Sequence, residues 1–190
     1  MINSLRFNPP PQWNRMWGNR YFLGMNMMSF DLCKNLLNQP NLKMLEIGSH
    51  KGESAFMFAS LGIFTEIHCI DPYEGVEEAN EIFNETWDNV KNEFKLNTRH
   101  FNNITLHQGF SYDLVDKFED GYFDFIYIDG NHKYEDVKKD IELYLPKAKQ
   151  IIGGHDYQKE WPGVIKAVNE VLGPPDKTYP DESWIRLIRK

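Results

Sequence analysis

The fold turns on Leu45-Glu46-Ile47-Gly48-Ser49-His50-Lys51-Gly52-Glu53-Ser54, where an apolar strand runs into two glycines and then into a helical pattern. Glycine at such a junction permits the tight turn and close backbone approach that a nucleotide-type cofactor needs. A dinucleotide fingerprint, G-x-G-x-x-G, fails here. Its second glycine would fall on His50 and its third on Glu53, so a pyrophosphate would meet side chains, one of them acidic. The spacing present, G-x-x-x-G behind Glu46, suits a cofactor without phosphate, and its plain alternative is an ordinary strand-to-helix turn.

Outward from this stretch, five apolar runs recur: Leu42 to Ile47, Thr65 to Ile70, Ile104 to His107, Phe123 to Ile128 and Gln150 to Ile152. Helical spacing fills the intervals, the rhythm of a parallel α/β sheet. Val76, Ala79, Phe83, Trp87, Val90 and Phe94 form one buried stripe, and Tyr134, Val137, Ile141, Tyr144 and Leu145 another, stopped by Pro146. Pro162 opens a helix bearing Val164, Ile165, Val168 and Leu172, closed by Gly173-Pro174-Pro175. Trp184 to Ile188 alternates as a closing edge strand. Ser29 caps a short helix carrying Leu32, Cys33, Leu36 and Leu37. The expected architecture is Rossmann-like α/β: a doubly wound, mostly parallel sheet with helices on both faces and an antiparallel edge strand. Residues 1–40 then form a leader and helix packing on or capping the site, and 41–190 the cofactor domain, as one compact unit.

Composition narrows the functions. The chain has 190 residues, with 21 Lys and Arg against 28 Asp and Glu, a net charge of −7. Binding along a nucleic acid backbone rests on clustered cations, so a small or neutral substrate is expected and a nucleic acid is not. Hydrophobic residues at 41% and aromatics at 14% supply a core and exclude global disorder. Cys33 and Cys69 lack metal or redox spacing, which fits a reducing cytoplasm. Met1 to Pro11 carries charges and three consecutive prolines, and no run reaches membrane-spanning length.

Candidate site residues gather where strands end. Asp71, in Ile70-Asp71-Pro72, stands where an acid accepts hydrogen bonds from ribose hydroxyls, or else is a turn aspartate. Gly109-Phe110-Ser111 ends the third strand, where an aromatic and a hydroxyl can flank an adenine. Ile128-Asp129-Gly130-Asn131-His132-Lys133-Tyr134 and Gly154-His155-Asp156-Tyr157 follow neighbouring strands, so Asp129, His132, His155 and Asp156 converge at the carboxyl-end crevice. Two carboxylates and an imidazole can hold a divalent metal; singly, each residue is as readily a cap or a loop hydrogen-bonder.

From Leu42 to Tyr157 the sequence resembles class I S-adenosylmethionine-dependent methyltransferases, and within them the macrocin-type sugar O-methyltransferases. Catechol-type O-methyltransferases share a similar layout, and the resemblance extends to cephalosporin-hydroxylase-like proteins. It implies S-adenosylmethionine as cofactor, with Glu46, Gly48, His50, Gly52 and Ser54 around the methionine part, Asp71 at the ribose, Ser111 at the adenine edge and Asp129 beside the methyl-transfer centre. It implies a divalent metal, Mg²⁺ or Mn²⁺, on Asp129 and Asp156. His155 stands where relatives often carry an acidic ligand, so it binds the metal, biases the site toward a metal that accepts imidazole, or does not coordinate. His132 takes the place of the general base. The implied acceptor is a small-molecule or sugar hydroxyl, and Trp13, Trp17, Tyr21, Phe22, Trp161 and Trp184 are candidates to stack on it. A non-catalytic cofactor-binding domain is the competing class.

Overall fold

The computed structural model describes residues 18–74 and 86–189. Seven strands form one sheet: β1 (Leu42–Ile47), β2 (Phe64–Asp71), β3 (Ile104–Gln108), β4 (Phe123–Ile128), β5 (Ala148–Gly154), β6 (Lys177–Thr178) and β7 (Trp184–Leu187). Their order is β3-β2-β1-β4-β5-β7-β6, parallel from β3 through β5. β7 runs antiparallel to β5 and β6 antiparallel to β7. The chain leaves β1 in one direction and reverses to the other side of it at β4, which opens a crevice at the carboxyl ends of these two strands.

Among the described residues, six α-helices cover the sheet: α1 (Gly18–Leu36), α2 (Glu53–Ser60), α3 (Trp87–Thr98), α4 (Ser111–Leu114), α5 (Tyr134–Tyr144) and α6 (Pro162–Leu172). Strand alternation decides which helix each side chain meets. Met44, Phe125 and Tyr127 face Met25, Met28 and Leu32 of α1 and Phe58 of α2, while Leu45, Ile126 and Ile128 face Val137 and Ile141 of α5 and Val168 of α6. Both faces are therefore closed, and the expected doubly wound α/β sheet is present.

The differences from the sequence reading are local. α1 begins eleven residues before Ser29, which lies buried inside the helix rather than at its cap. The stripe Phe22, Met25, Met28, Leu32 and Leu36 continues upstream at helical spacing, and burial on the sheet outweighs the preference of serine for a helix end. β5 extends on both sides of Gln150–Ile152, because its flanking residues pair with β4 and β7. β7 is not the outermost strand: the two-residue β6 covers its edge, too short to leave a hydrophobic signature. Of the stripe between β2 and β3, Val76, Ala79 and Phe83 lie outside the described residues. The rest is α3, capped by Thr86 accepting from the Asn89 amide at 3.3 Å, with Val90 and Phe94 buried. Pro146 lies in a 3₁₀ turn after α5, and Pro162 occupies the first position of α6. Cys33 and Cys69 are free and buried. No helix among the described residues is long and apolar enough to cross a membrane.

On the β2–β3 side, His68 Nδ1 and His107 Nε2 stand 2.9 Å apart with their rings stacked. Burial, then the neighbouring His68 and Lys117, hold the His107 imidazole below its usual range. The folded chain therefore binds fewer protons here than the unfolded chain once the pH falls below the ordinary imidazole range, and acid costs stability. Urea melts at pH 7.5 and pH 5 should show His107→Asn losing less stability on acidification than the wild type. An equal loss would remove the pair from the acid response.

Candidate active site

The turn after β1 is fixed by backbone contacts before any side chain acts. The Gly48 amide donates to the Ile70 carbonyl at 2.9 Å, and the Asp129 amide to the Ile47 carbonyl at 2.8 Å. Gly48 adopts φ 86°, and a Cβ there would lie 2.0 Å from the Asp129 carbonyl oxygen, so only glycine lets the ends of β1 and β4 approach this closely. Gly52, at φ 77°, caps α2, and a Cβ there would press on Phe94.

Asp71 ends β2 and holds this turn. Its Oδ2 accepts from the His50 amide at 2.8 Å and its Oδ1 from the Tyr73 amide at 2.8 Å, while the Tyr73 hydroxyl donates to the His50 carbonyl at 2.9 Å. Burial raises the Asp71 pKa and these two amides offset part of the rise. Each oxygen keeps a lone pair for a ligand hydroxyl. The third strand end carries Ser111, whose hydroxyl donates to Asp140 Oδ1. Burial pushes the Asp140 carboxyl up to about 6, with the Ser111 bond pulling the other way. Asp140 was missed in the sequence, although an acid between Val137 and Ile141 in a buried stripe was a usable signal.

These groups open on one cavity of about 660 Å³, within the usual size of a cofactor site. Gly48, His50, Ser54, Asp71, Ser111 and Asp129 line it, as do His132, His155 and Asp156. Two predicted cofactor residues do not. Gly52 turns toward α3, and Glu46 lies beneath the turn, 0% exposed, with the Cys69 thiol 3.6 Å from its carboxylate. Burial drives the Glu46 pKa up to about 7, against the hydroxyls of Ser54 and Ser49. Of the proposed aromatic platform, Tyr21 and Trp161 line the cavity, whereas Phe22 and Trp184 are buried in the two cores because their strand or helix register points them inward. Trp13 and Trp17 lie outside the described residues.

At the far end of the cavity, one oxygen or nitrogen atom from each of Asp129, His132 and Asp156 falls within a sphere where all lie within 4.8 Å of one another. His132 Nε2 is 2.7 Å and His155 Nδ1 3.2 Å from the same Asp156 oxygen. His132 Nε2 nonetheless makes no aligned hydrogen bond. The grouping brings in His132, read from sequence as the base, and leaves out His155, read as a ligand. His155 instead lies between Asp156 and Asp181, with its ring edge-on to Tyr21. Burial opposes the charge on His155, but the carboxylates of Asp129 and Asp156 push it up to about 9. Burial likewise opposes charge on His132, and the adjacent Asp156 and Asp129 raise it. Asp156, despite its burial, is held well below the carboxylate range by His132 and His155. Asp129 moves up, through burial first, with His155 opposing and Asp156 adding to the rise. Trp161 stacks on His132 at 4.3 Å and 24° and is itself 36% exposed.

The model of the family described as "Methyltransferase domain" matches residues 45–157, more than half of the chain and the whole span from the turn after β1 to the loop after β5. The chain belongs to this methyltransferase-domain family. An uncharacterised protein of Acanthamoeba polyphaga mimivirus is 30% identical over 161 residues, 76% of this chain and 67% of that one. An uncharacterised protein of Sinorhizobium fredii is 31% identical over 120 residues, and the chain spans only 13% of its length. Among solved structures, a putative caffeoyl-CoA O-methyltransferase from Staphylococcus aureus superposes with a TM-score of 0.63 at 17% identity, over 96% of this chain and 93% of that one. At such identity the likeness is one of fold, and it extends to the Rossmann-like sheet with its antiparallel edge.

Glu46 carries the first test of this site. Its raised pKa means that the neutral carboxyl favours folding, and that this contribution is lost as the pH rises through about 7. Glu46→Gln, neutral throughout, should be more stable than the wild type at pH 8 by on the order of 2 kcal/mol, or about 5 °C in Tm, with little difference at pH 4.5. Thermal melts at the two pH values decide it, and an unchanged Tm at pH 8 would place an ionised carboxylate in that pocket without penalty.

Proposed function

We propose that the protein is an S-adenosylmethionine-dependent O-methyltransferase acting on a hydroxyl of a small molecule or sugar, assisted by a divalent metal, in a cytoplasmic setting and without a nucleic acid partner. One observation carries this reading: the cavity that opens on Gly48 and Asp71 continues to Asp129, His132 and Asp156, so a cofactor-sized space and a proton-handling centre are one volume. The family supplies the expectation of the cofactor.

The residues fit such a cofactor. Gly48 and Asp71 both line the cavity, and the spare lone pairs of Asp71 match a ribose diol. When bound, S-adenosylmethionine supplies an electrophilic methyl group on a sulfonium. The chain's own work is to remove a proton from the acceptor and to hold its oxygen in line. An unaided alcohol does not ionise at neutral pH, whereas an imidazole can accept its proton during attack. His132 takes that role, with Asp156 beside it to stabilise the imidazolium that results. Trp161, stacked on His132, limits how that ring turns and screens it from water.

The donor set also fits a metal. Asp129, His132 and Asp156 would hold a divalent ion such as Mg²⁺ or Mn²⁺, and the unaligned 2.7 Å contact between His132 and Asp156 favours donors facing a common cation. Such an ion supplies Lewis acidity that makes a nearby hydroxyl a better proton donor. On this second reading His132 is a ligand rather than the base, and His155 does not coordinate.

Thermal shift with S-adenosylhomocysteine, S-adenosylmethionine and NAD, each with Mg²⁺, Mn²⁺ or EDTA, tests the cofactor. At a hundred times its Kd the sulfur ligand should stabilise by about 2.7 kcal/mol, roughly 5 to 10 °C, and NAD should not. Absence of a shift with either sulfur ligand sinks the reading. His132→Ala and Asp156→Ala should both keep S-adenosylhomocysteine binding. Asp156→Ala should lose any Mn²⁺-dependent increment, and loss of that increment in His132→Ala as well assigns His132 to the metal rather than to the base.

A further inference from the structure

Asp181 lies outside the span matched by the family, yet it reaches the reaction centre from behind. Its side chain is 1% exposed. Oδ1 accepts from the Ser183 hydroxyl at 2.6 Å and the Ser183 amide at 3.3 Å, while Oδ2 has no hydrogen-bond partner and stands 4.0 Å from His155 Nε2, which has none either. The opposite edge of the same imidazole, Nδ1, faces Asp156, and the oxygen it meets there is the one beside His132. A line of four side chains thus runs from the C-terminal loop to the cavity: Asp181, His155, Asp156, His132.

The loop is fitted to α1 to make this possible. A Cβ on Gly24 would fall 1.8 Å from Asp181 Oδ1, so the helix carries glycine where the carboxylate crosses it. Glycine inside a helix costs about 1 kcal/mol relative to alanine, a cost that the inserted carboxylate explains. Around this crossing the Tyr179 hydroxyl donates to Asp31 at 2.8 Å, and Arg20 bonds the Pro180 carbonyl and the Glu182 carboxylate. A buried carboxylate that only tied the loop together would need both oxygens satisfied by the loop. Here one oxygen is given to the loop and the other is aimed at a histidine of the site.

We infer that Asp181 is a positioning residue of the reaction centre, acting through His155 to orient the Asp156 carboxylate. It fixes the plane of the His155 ring by facing its Nε2 edge, which in turn presents Nδ1 to Asp156. The consequence for turnover rests on the methyl-transfer reading above, whereas the coupling itself does not.

Histidine ring ¹⁵N spectra of the full chain test it, with the His68–His107 pair as an internal control. Asp181→Asn should shift the ring resonances of both His155 and His132 and leave those of His68 and His107 in place. Gly24→Ala keeps the charge but displaces the carboxylate, and should shift the same two rings. Ser183→Ala, which loosens the loop without moving a charge from Nε2, should shift them less. Unchanged His155 and His132 resonances in a folded Asp181→Asn or Gly24→Ala protein would overturn the inference, as would equal shifts in Ser183→Ala. Calorimetric titration with S-adenosylhomocysteine on the same samples separates the two claims. Wild-type protein that binds none sinks the methyltransferase reading while the spectra still judge Asp181. Binding with unshifted rings sinks the role of Asp181 alone.

Discussion

The contact between Gly48 and the carbonyl of Asp129 is the constraint on which the rest depends. β1 and β4 are neighbours in a parallel sheet, and beyond their last paired residues Asp129 continues the ladder by donating to Ile47, while Gly48 donates on the other side to Ile70 of β2. A methyl group at position 48 would collide with that carbonyl. The turn after β1 and Asp129 are therefore set by one backbone approach, and neither can shift without the other. Reversal of chain direction at this point gives the crevice, and the glycine lets Gly48 and Asp129 line one cavity side by side.

A site of this kind is expensive to keep folded. Glu46, Asp140 and Asp71 are buried acids whose pKa values burial raises, which means that each opposes folding once ionised. Backbone strain gathers in the same place: His50 at φ 41°, Tyr73 at φ 51° and Asp156 at φ 59° all occupy the left-handed region without being glycine. Two of the three are locked by the hydrogen bonds of Asp71 and of the Tyr73 hydroxyl. The two apolar cores on either face of the sheet supply the excess stability that tolerates this.

What could be read in the sequence follows from what kind of interaction specifies each part. Parallel strands buried on both faces read as uninterrupted apolar runs, so β1 and β4 were legible to the residue, and Pro162 and Gly173 bracketed α6 through backbone chemistry alone. Strand-end acids could be placed at the crevice because topology carries them there. Long-range side-chain partnerships left no such trace. Nothing local in Gly24 or Asp181 tells that one admits the other, and α1 reads as a weak pattern because Gly24 interrupts it for a tertiary reason. His132 stands three residues after Asp129 and His155 immediately before Asp156, after adjacent strands, and neither spacing says which imidazole joins Asp129 and Asp156. That choice depends on side-chain direction.

The division of labour across the chain follows from this. The matched span, 45–157, contains the turn, the strand-end acids and the two histidines, the parts that any chemistry of this fold would reuse. Three other side chains that close on them, Tyr21, Trp161 and Asp181, come from α1, the start of α6 and the C-terminal loop. Tyr21 and Trp161 line the cavity, against His155 and His132 respectively, while Asp181 is buried behind His155. None of the three takes part in the Gly48–Asp129 contact, which the backbone within the matched span makes by itself.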